Sequence, residues 1–291
     1  METRWMYVTT EELAALREEA KGVCVIPMGC IEKHGLHLPL GTDIIEGSRI
    51  AHMASQLETA CVFPDYIFGD VPANDPERPL GSVTLPLELN MQMLETLCEQ
   101  IAKSGFRKIV VFNSHGGNCA WLQAFQRNLG TRAHDYVFTF FTVSLPAPHA
   151  MAELLLKEGP QAIPELEAED VELLLKYHEE GMLTGHACFG ETAYIMGICP
   201  ETVRMDRLGV ESGLPTGKSK AYNDVALFVQ DGGWGLEFPN AYAGHDPIGC
   251  NERIGKAALR LEAGRFAKAL KVLKEDEYLL QEHNRQWHTD I

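Results

Sequence analysis

Val23-Cys-Val-Ile-Pro-Met-Gly29 is an apolar run that reads as a buried strand, and three residues later comes Glu32-Lys-His34-Gly-Leu-His37-Leu-Pro-Leu-Gly-Thr-Asp43. Two carboxylates and two imidazoles thus fall within twelve residues at the end of a strand. Glu32 and His34 are two apart, so in an extended segment they point the same way. Gly35, Pro39 and Gly41 let the chain curl back and bring Asp43 to the same point. A mixture of carboxylate oxygen and imidazole nitrogen is what divalent transition metals bind. The competing reading is a solvated polar loop, and a second cluster downstream weighs against it.

That second cluster is Asn113-Ser-His115-Gly-Gly-Asn118, between the strand-like Lys108-Ile-Val-Val-Phe-Asn113 and a helical stretch from Cys119 to Gly130. His115 therefore sits at the carboxyl end of a strand, the edge of an open α/β sheet where sites are built. No Gly-Lys-Ser/Thr follows and no G-x-G-x-x-G is present, which argues against a phosphate loop. A third cluster, Gly185-His-Ala-Cys-Phe-Gly-Glu191-Thr192, adds an imidazole and a carboxylate that would be unconvincing alone.

Strand and helix patterns alternate along the chain. Strands are expected at Val23 to Gly29, Ala60 to Gly69, Lys108 to Asn113 and Tyr136 to Val143, with helices from about Ile44 to Leu57 and Asn90 to Ser104 between them. The Leu145-Pro-Ala-Pro-His149 break opens a charged, insertion-like helical region to Gly181, whose acids read as a solvated surface. Gly209 to Gly249 reads as long loops near substrate or subunit contacts, and Asn251 to about Trp287 has helical spacing. With no linker or repeat, a single domain over residues 1–291 is expected.

The order Glu-x-His-Gly-x-His-Leu-Pro-x-x-Thr-Asp, Asn-x-His-Gly-Gly-Asn and Gly-His-Ala-x-x-x-Glu-Thr resembles the creatininase (creatinine amidohydrolase) family, with matches from residue 23 to 192. The resemblance implies a three-layer α/β/α fold with a central, mainly parallel sheet. It also implies two divalent metal ions (zinc, manganese or iron), hydrolysis of a ring or amide bond, and a homo-oligomer, often a hexamer. Carried over residue by residue, Glu32, His34, Asp43 and His115 fall on the family's metal ligands, and Asp43, with two oxygens, is the natural bridge. Creatininase itself has Tyr-Glu after its histidine, and that Glu is a ligand, whereas this chain has Gly116-Gly117. Glu191 is the candidate replacement, because His34 and a shared Asp43 are too few to hold a second metal. Lys33, Leu36 and Ser114 also depart from the usual Gln, Pro and Gly.

The implied chemistry is attack by metal-activated water on a small cyclic amide or N-formyl substrate, with Glu191 and His186 as the catalytic candidates. His186 is placed to carry a proton to the leaving group. His37 is expected to donate to a ligating carboxylate or orient substrate, while Asn113 and Asn118 hold the loop that aims His115. The runner-up is a hydrolase that opens a polyhydroxylated cyclic ketone, such as an oxidised inositol, by C–C cleavage. A silent metal-binding protein is a third class, disfavoured because no inert residue replaces a ligand in the first motif. Asn74, Arg78 and Ser82 are candidates for polar substrate contacts or for shaping an exposed loop, and Trp234 and His245 for the same pocket.

Composition narrows the partners. A formal charge of −16, from 25 basic and 41 acidic residues, repels a phosphate backbone, so nucleic acid is not expected. No apolar run reaches the ~18 residues of a membrane span, and Met1-Glu-Thr-Arg-Trp5 lacks the pattern of a signal peptide, so a cytoplasmic location is expected. The eight cysteines form no Cys-x-x-Cys pair and read as buried thiols; Cys30 and Cys188 neighbour the ligands without being needed among them. Neither a G-x-S-x-G elbow nor a cysteine nucleophile signature is present.

Overall fold

The computed structural model describes residues 1–71, 80–142, 145–229 and 233–288. Four strands, β1 (Val23–Met28), β2 (Cys61–Val62), β3 (Lys108–Asn113) and β4 (Val137–Thr142), form one parallel sheet in the order β2-β1-β3-β4. The helices are α1 (Thr10–Glu19), α2 (Thr42–Leu57), α3 (Leu87–Lys103), α4 (Asn118–Leu129), α5 (Ala147–Glu158), α6 (Ala168–Glu179) and α7 (Phe189–Ile198). Two single turns follow, α8 (Lys220–Asn223) and α9 (Trp234–Glu237), then α10 (Glu252–Glu275) and α11 (Tyr278–Trp287).

The central strands β1 and β3 are buried along their whole length, as continuous apolar runs must be when both sheet faces are covered. Their alternation divides the core. Val23, Val25, Val110 and Phe112 pack with Ile50 of α2, Met151 of α5, Leu174 of α6, Ala193 of α7 and Phe266 of α10. Cys24, Ile26, Ile109 and Val111 pack on the other face with Leu16 of α1, Leu94 of α3 and Trp121 of α4. The architecture is therefore the expected α/β/α sandwich. No helix among the described residues is long and apolar enough to cross a membrane.

Three elements differ from expectation. The strand expected from Ala60 to Gly69 is regular only at Cys61–Val62. The chain still follows β1 beyond it through Phe63 N–H to Val25 O and Tyr66 N–H to Pro27 O, each 2.8 Å. Helix α1 was not anticipated, although Thr9 and Glu12 form a reciprocal capping box at its start. The region from Leu145 to Gly181 is not an appendage: α5 and α6 bury Met151, Leu155, Leu174 and Tyr177 in the same core as α7 and α10. Its acids are mostly at the surface, but Asp170 is buried and paired with Arg253 at 2.9 Å. Val143, Asn74, Arg78 and Gly232 lie outside the described residues.

The site follows from this frame. β1 and β3 deliver their following loops to one sheet edge, and α2 and α7 begin beside them. Gly29 makes the close approach of α2 feasible, since a Cβ there would lie 2.8 Å from the backbone of Asp43 and Ile44. Gly29→Ala should therefore cost about 1–3 kcal/mol by overpacking and displace Asp43. Urea unfolding and metal titration of this variant check it; parental stability and parental metal affinity would show that the approach is not tight.

Candidate metal centre

Six side chains from four places in the sequence converge below this edge. Asp43 lies at the centre. Its Oδ1 is 3.1 Å from His34 Nε2, and its Oδ2 is 3.1 Å from His115 Nδ1. Glu32 Oε1 joins the His115 side at 3.0 Å from Nδ1, and Glu191 Oε2 joins the His34 side at 3.7 Å from Nε2. His186 Nδ1 faces Glu32 Oε1 at 3.8 Å, and its ring stands 4.1 Å from that of His34, centroid to centroid. The donor atoms fall into three groups with the spacing of cation ligands: Glu32, Asp43, His115 and Cys30; His34, Asp43 and Glu191; and Glu32, His34 and His186.

The backbone decides which nitrogen of each imidazole faces the carboxylates. A carbonyl oxygen only accepts, so a ring nitrogen bonded to one must carry the hydrogen. His115 Nε2–H donates to Asp70 O at 2.8 Å, His186 Nε2–H to Lys33 O at 2.9 Å, and His34 Nδ1–H to Glu32 O at 3.2 Å. The second nitrogen of each ring is thereby turned to the carboxylates, where it can hold a proton or, once that proton is displaced, a cation, the orientation found in metal-binding histidines. Asn113 and Asn118 build the seat of His115 as expected. Asn113 Nδ2 donates to His115 O, and Asn118 Oδ1 accepts from Asp70 N–H, fixing the carbonyl that orients the imidazole.

Two buried carboxylates and a half-buried third this close repel one another and demand positive charge. Burial alone would depress the imidazoles, but Asp43, Glu191 and Glu32 outweigh it and raise His34 to about 10, and Glu32 with Asp43 likewise raises His115. Burial would raise Glu32, yet His115 and His186 hold it at about 2, and His34 and His115 hold Asp43 well below its usual range. Burial wins at Glu191, which is raised. Both helix-borne carboxylates, Asp43 and Glu191, stand in the first turn of their helices, where the dipole favours negative charge. Protons or metal cations must fill the cluster, and carboxylate plus imidazole suits divalent ions.

Gly117 explains the missing family ligand. A Cβ at that position would lie 2.5 Å from His115 Nε2 and 2.6 Å from Asp70 O, so no glutamate fits there without breaking the bond that orients His115. Cys30 belongs to the cluster as a donor, its thiol bonded to Asp43 Oδ2 at 2.9 Å and kept protonated by burial and by Asp43. Among the described residues His37 touches no carboxylate of the cluster; its Nε2–H bonds Ala187 O at 3.0 Å, and burial lowers it to about 4, so it is a neutral strut. It acts one step away, since Ala187 N–H donates to Glu191 Oε2. Ser82 Oγ accepts Lys33 N–H at 3.3 Å, Trp234 stands edge-on to His186 at 5.4 Å, and His245 is exposed. Two buried groups escaped the sequence reading: Glu46, one turn after Asp43, and Glu262 on α10, neither marked by a motif. A cavity of about 330 Å³ lined by Val110, Phe141, Leu270 and Leu279 lies elsewhere and includes no member of the cluster.

Comparison with known proteins bears on the family and the fold. The family model described as Creatininase, creatinine amidohydrolase, matches residues 6–270. The 2-amino-5-formylamino-6-ribosylaminopyrimidin-4(3H)-one 5'-monophosphate deformylase of Methanobrevibacter smithii is 31% identical over 161 residues, 54% of this chain and 68% of that protein. The 3-dehydro-scyllo-inosose hydrolase of Thermotoga maritima is 27% identical over 175 residues, 57% of this chain, and the match spans only 54% of that relative. Among solved structures, a creatininase with Mn superposes with a TM-score of 0.69 at 16% identity, covering 95% of this chain and 100% of its own. A Zn-Zn type mutant creatininase gives 0.68 at 16% identity over the same shares. At such identities the structural likeness speaks for the fold alone.

The charge balance predicts a pH signature in metal-free protein. His34 is raised from 6.5 to about 10 on folding, so its proton stabilises the fold fully below about pH 6.5, and that contribution is lost as pH rises through about 10. Glu32, lowered from 4.5 to about 2, contributes above pH 4.5 and loses that contribution as pH falls through about 2. Chelated protein should therefore melt at falling temperature across the alkaline window, zinc or manganese should restore it, and His34→Gln should flatten the slope. A slope unchanged by His34→Gln would assign the effect to another group.

Proposed function

This chain belongs to the creatininase family, and on that premise we propose that it is a two-metal hydrolase acting on a small cyclic amide or N-formyl compound. The observation that carries the reading is the common orientation of the three imidazoles, each donating one N–H to a backbone carbonyl and turning its other nitrogen toward Glu32, Asp43 or Glu191. Glu32, His115 and Asp43 Oδ2 would hold one cation; His34, Glu191 and Asp43 Oδ1 would hold the other. The donor set fits zinc, manganese or iron. When bound, two such ions supply Lewis-acid polarisation of the substrate oxygen and lower the pKa of water to near neutrality.

The rest is the work of the chain. Hydrolysis adds the hydroxyl of one water to the carbonyl carbon, breaks the C–N bond and delivers the proton to the leaving nitrogen. His186 carries that proton at Nδ1, because its Nε2–H is committed to Lys33 O. The ring is held by a backbone oxygen, so it stays aligned while Nδ1 gains and loses the proton. Trp234 packs edge-on against the same ring, 5.4 Å centroid to centroid. The relatives support an N-formyl substrate first and an oxidised inositol second, since one is a deformylase and the other an inosose hydrolase. The reading includes a homo-oligomer, for which the exposed Val225, Leu227 and Phe228 offer apolar surface.

Screening metal-loaded protein against N-formyl compounds, lactams and oxidised inositols separates the readings: formate release or ring opening of a lactam supports the first, C–C cleavage the second. Absence of turnover on all three favours a silent metal-binding protein. Asp43→Ala should lose both metals and all activity. Glu191→Gln should lower metal content from about two per chain toward one, the neutral amide oxygen being the poorer ligand. His186→Ala should keep both metals and lose about 10²–10⁴-fold in rate, with one limb of the pH profile changed. Parental metal content and turnover in Glu191→Gln would remove the second cation from the account.

A further inference from the structure

Lys33 lies between two members of the cluster and reaches in three directions. Its ammonium meets both oxygens of Glu211, at 2.8 and 2.7 Å, and the two side chains are only 18% and 25% exposed. Its N–H donates to Ser82 Oγ, and its carbonyl accepts the Nε2–H of His186. Glu211 sits 178 residues away in sequence, in the long segment that begins after Arg204 and ends at Ala243. Both ends of that segment are fastened to the same loop by backbone bonds: Arg204 N–H to His37 O at 2.8 Å and Gly35 N–H to Ala241 O at 2.9 Å. His186 pairs with Ala243 through two further bonds of 2.8 and 2.9 Å. Between these ends, the ion pair ties the segment that carries Trp234 to the loop that carries the ligands.

We propose that Lys33 is a positioning residue: through Glu211 it seats the described stretches 209–229 and 233–240, with Trp234 against His186, and through its carbonyl it fixes the ring that carries the proton. The second half rests on the reading of His186 given above; the first stands on geometry alone. Lys33 and Glu211 are each the other's counterion in a mostly buried setting, so removing either leaves a charge that must find water. The segment then lifts to hydrate it, and His186 loses its edge-on contact with Trp234. No titration is involved. A misplacement of about 1 Å at a proton carrier is enough to cost on the order of 10²-fold in rate.

The test uses Lys33→Met, Glu211→Gln, the reciprocal pair Lys33→Glu with Glu211→Lys, and the conservative Lys33→Arg, all in the full chain with metal content measured. Two readouts need no substrate: the rate of tryptic cleavage after Lys218 and Lys220, and the emission of Trp234, isolated by comparison with a Trp234→Phe background. Both should change in Lys33→Met and Glu211→Gln, in the direction of a more exposed segment, and recover in the reciprocal pair and in Lys33→Arg. With any substrate the parent turns over, kcat should fall by about ten- to a hundredfold with a smaller change in KM and an unchanged metal content. Parental proteolysis and emission in Glu211→Gln, which is remote from the ligands and spares the metal loop, would overturn the seating. Altered proteolysis with parental kcat and pH profile would overturn the positioning of His186. A parent that hydrolyses nothing would withdraw the hydrolase reading while the two substrate-free readouts still decide the seating.

Discussion

Three carboxylates, the buried Glu32 and Asp43 and the half-buried Glu191, are held within one cluster with three imidazoles, and that concentration of negative charge is the constraint on which the site is built. Desolvation at each carboxylate favours the neutral form, so the ionised cluster persists only if positive charge enters it. The fold meets part of this demand itself. Asp43 and Glu191 each open a helix, where the backbone dipole is positive, and the remaining oxygens face imidazoles. The parallel sheet matters because β1 and β3 end side by side and release the loops of Glu32 and His115 at one edge. Gly29 lets α2 begin against that edge, bringing Asp43 between the two loops.

Orientation is set by main chain more than by side chains. Three carbonyls, of Glu32, Lys33 and Asp70, each accept one imidazole N–H, and none of these acceptors titrates. Asn118 fixes the third of these carbonyls through the N–H of Asp70, and Gly117 leaves room for the resulting His115–Asp70 bond. This explains the departure from the family pattern in physical terms. A glutamate at position 117 and the observed seat of His115 exclude each other, and Glu191 stands on the His34 side of Asp43.

Much of this was legible because the metal-type residues lie in short motifs at strand ends, where periodicity and composition both speak. Val23-Cys-Val-Ile-Pro-Met28 and Lys108-Ile-Val-Val-Phe-Asn113 announce buried parallel strands, and Glu32, His34, Asp43 and His115 follow them at distances that leave little freedom. What was not legible depends on contacts between distant segments. The tie between Lys33 and Glu211 spans 178 residues and leaves no local pattern. His37 looks like a partner for a carboxylate in sequence, yet the path of the chain at Ala187 gives it a carbonyl. Glu46 reads as an ordinary surface acid of an amphipathic helix until α7 and α10 close over it. The region of α5 and α6 reads as charged because its exposed faces are acidic, while its apolar faces are too sparse to reveal the core they join.

The central claim is that Asp43 bridges two cations. Anomalous diffraction from crystals of zinc- or manganese-loaded protein, collected on both sides of the metal absorption edge, tests it most directly. The account predicts two peaks about 3.5–4 Å apart, one against Glu32 and His115, the other against His34 and Glu191, with one Asp43 oxygen on each. A single peak, or a second peak that Glu191 does not touch, would contradict it.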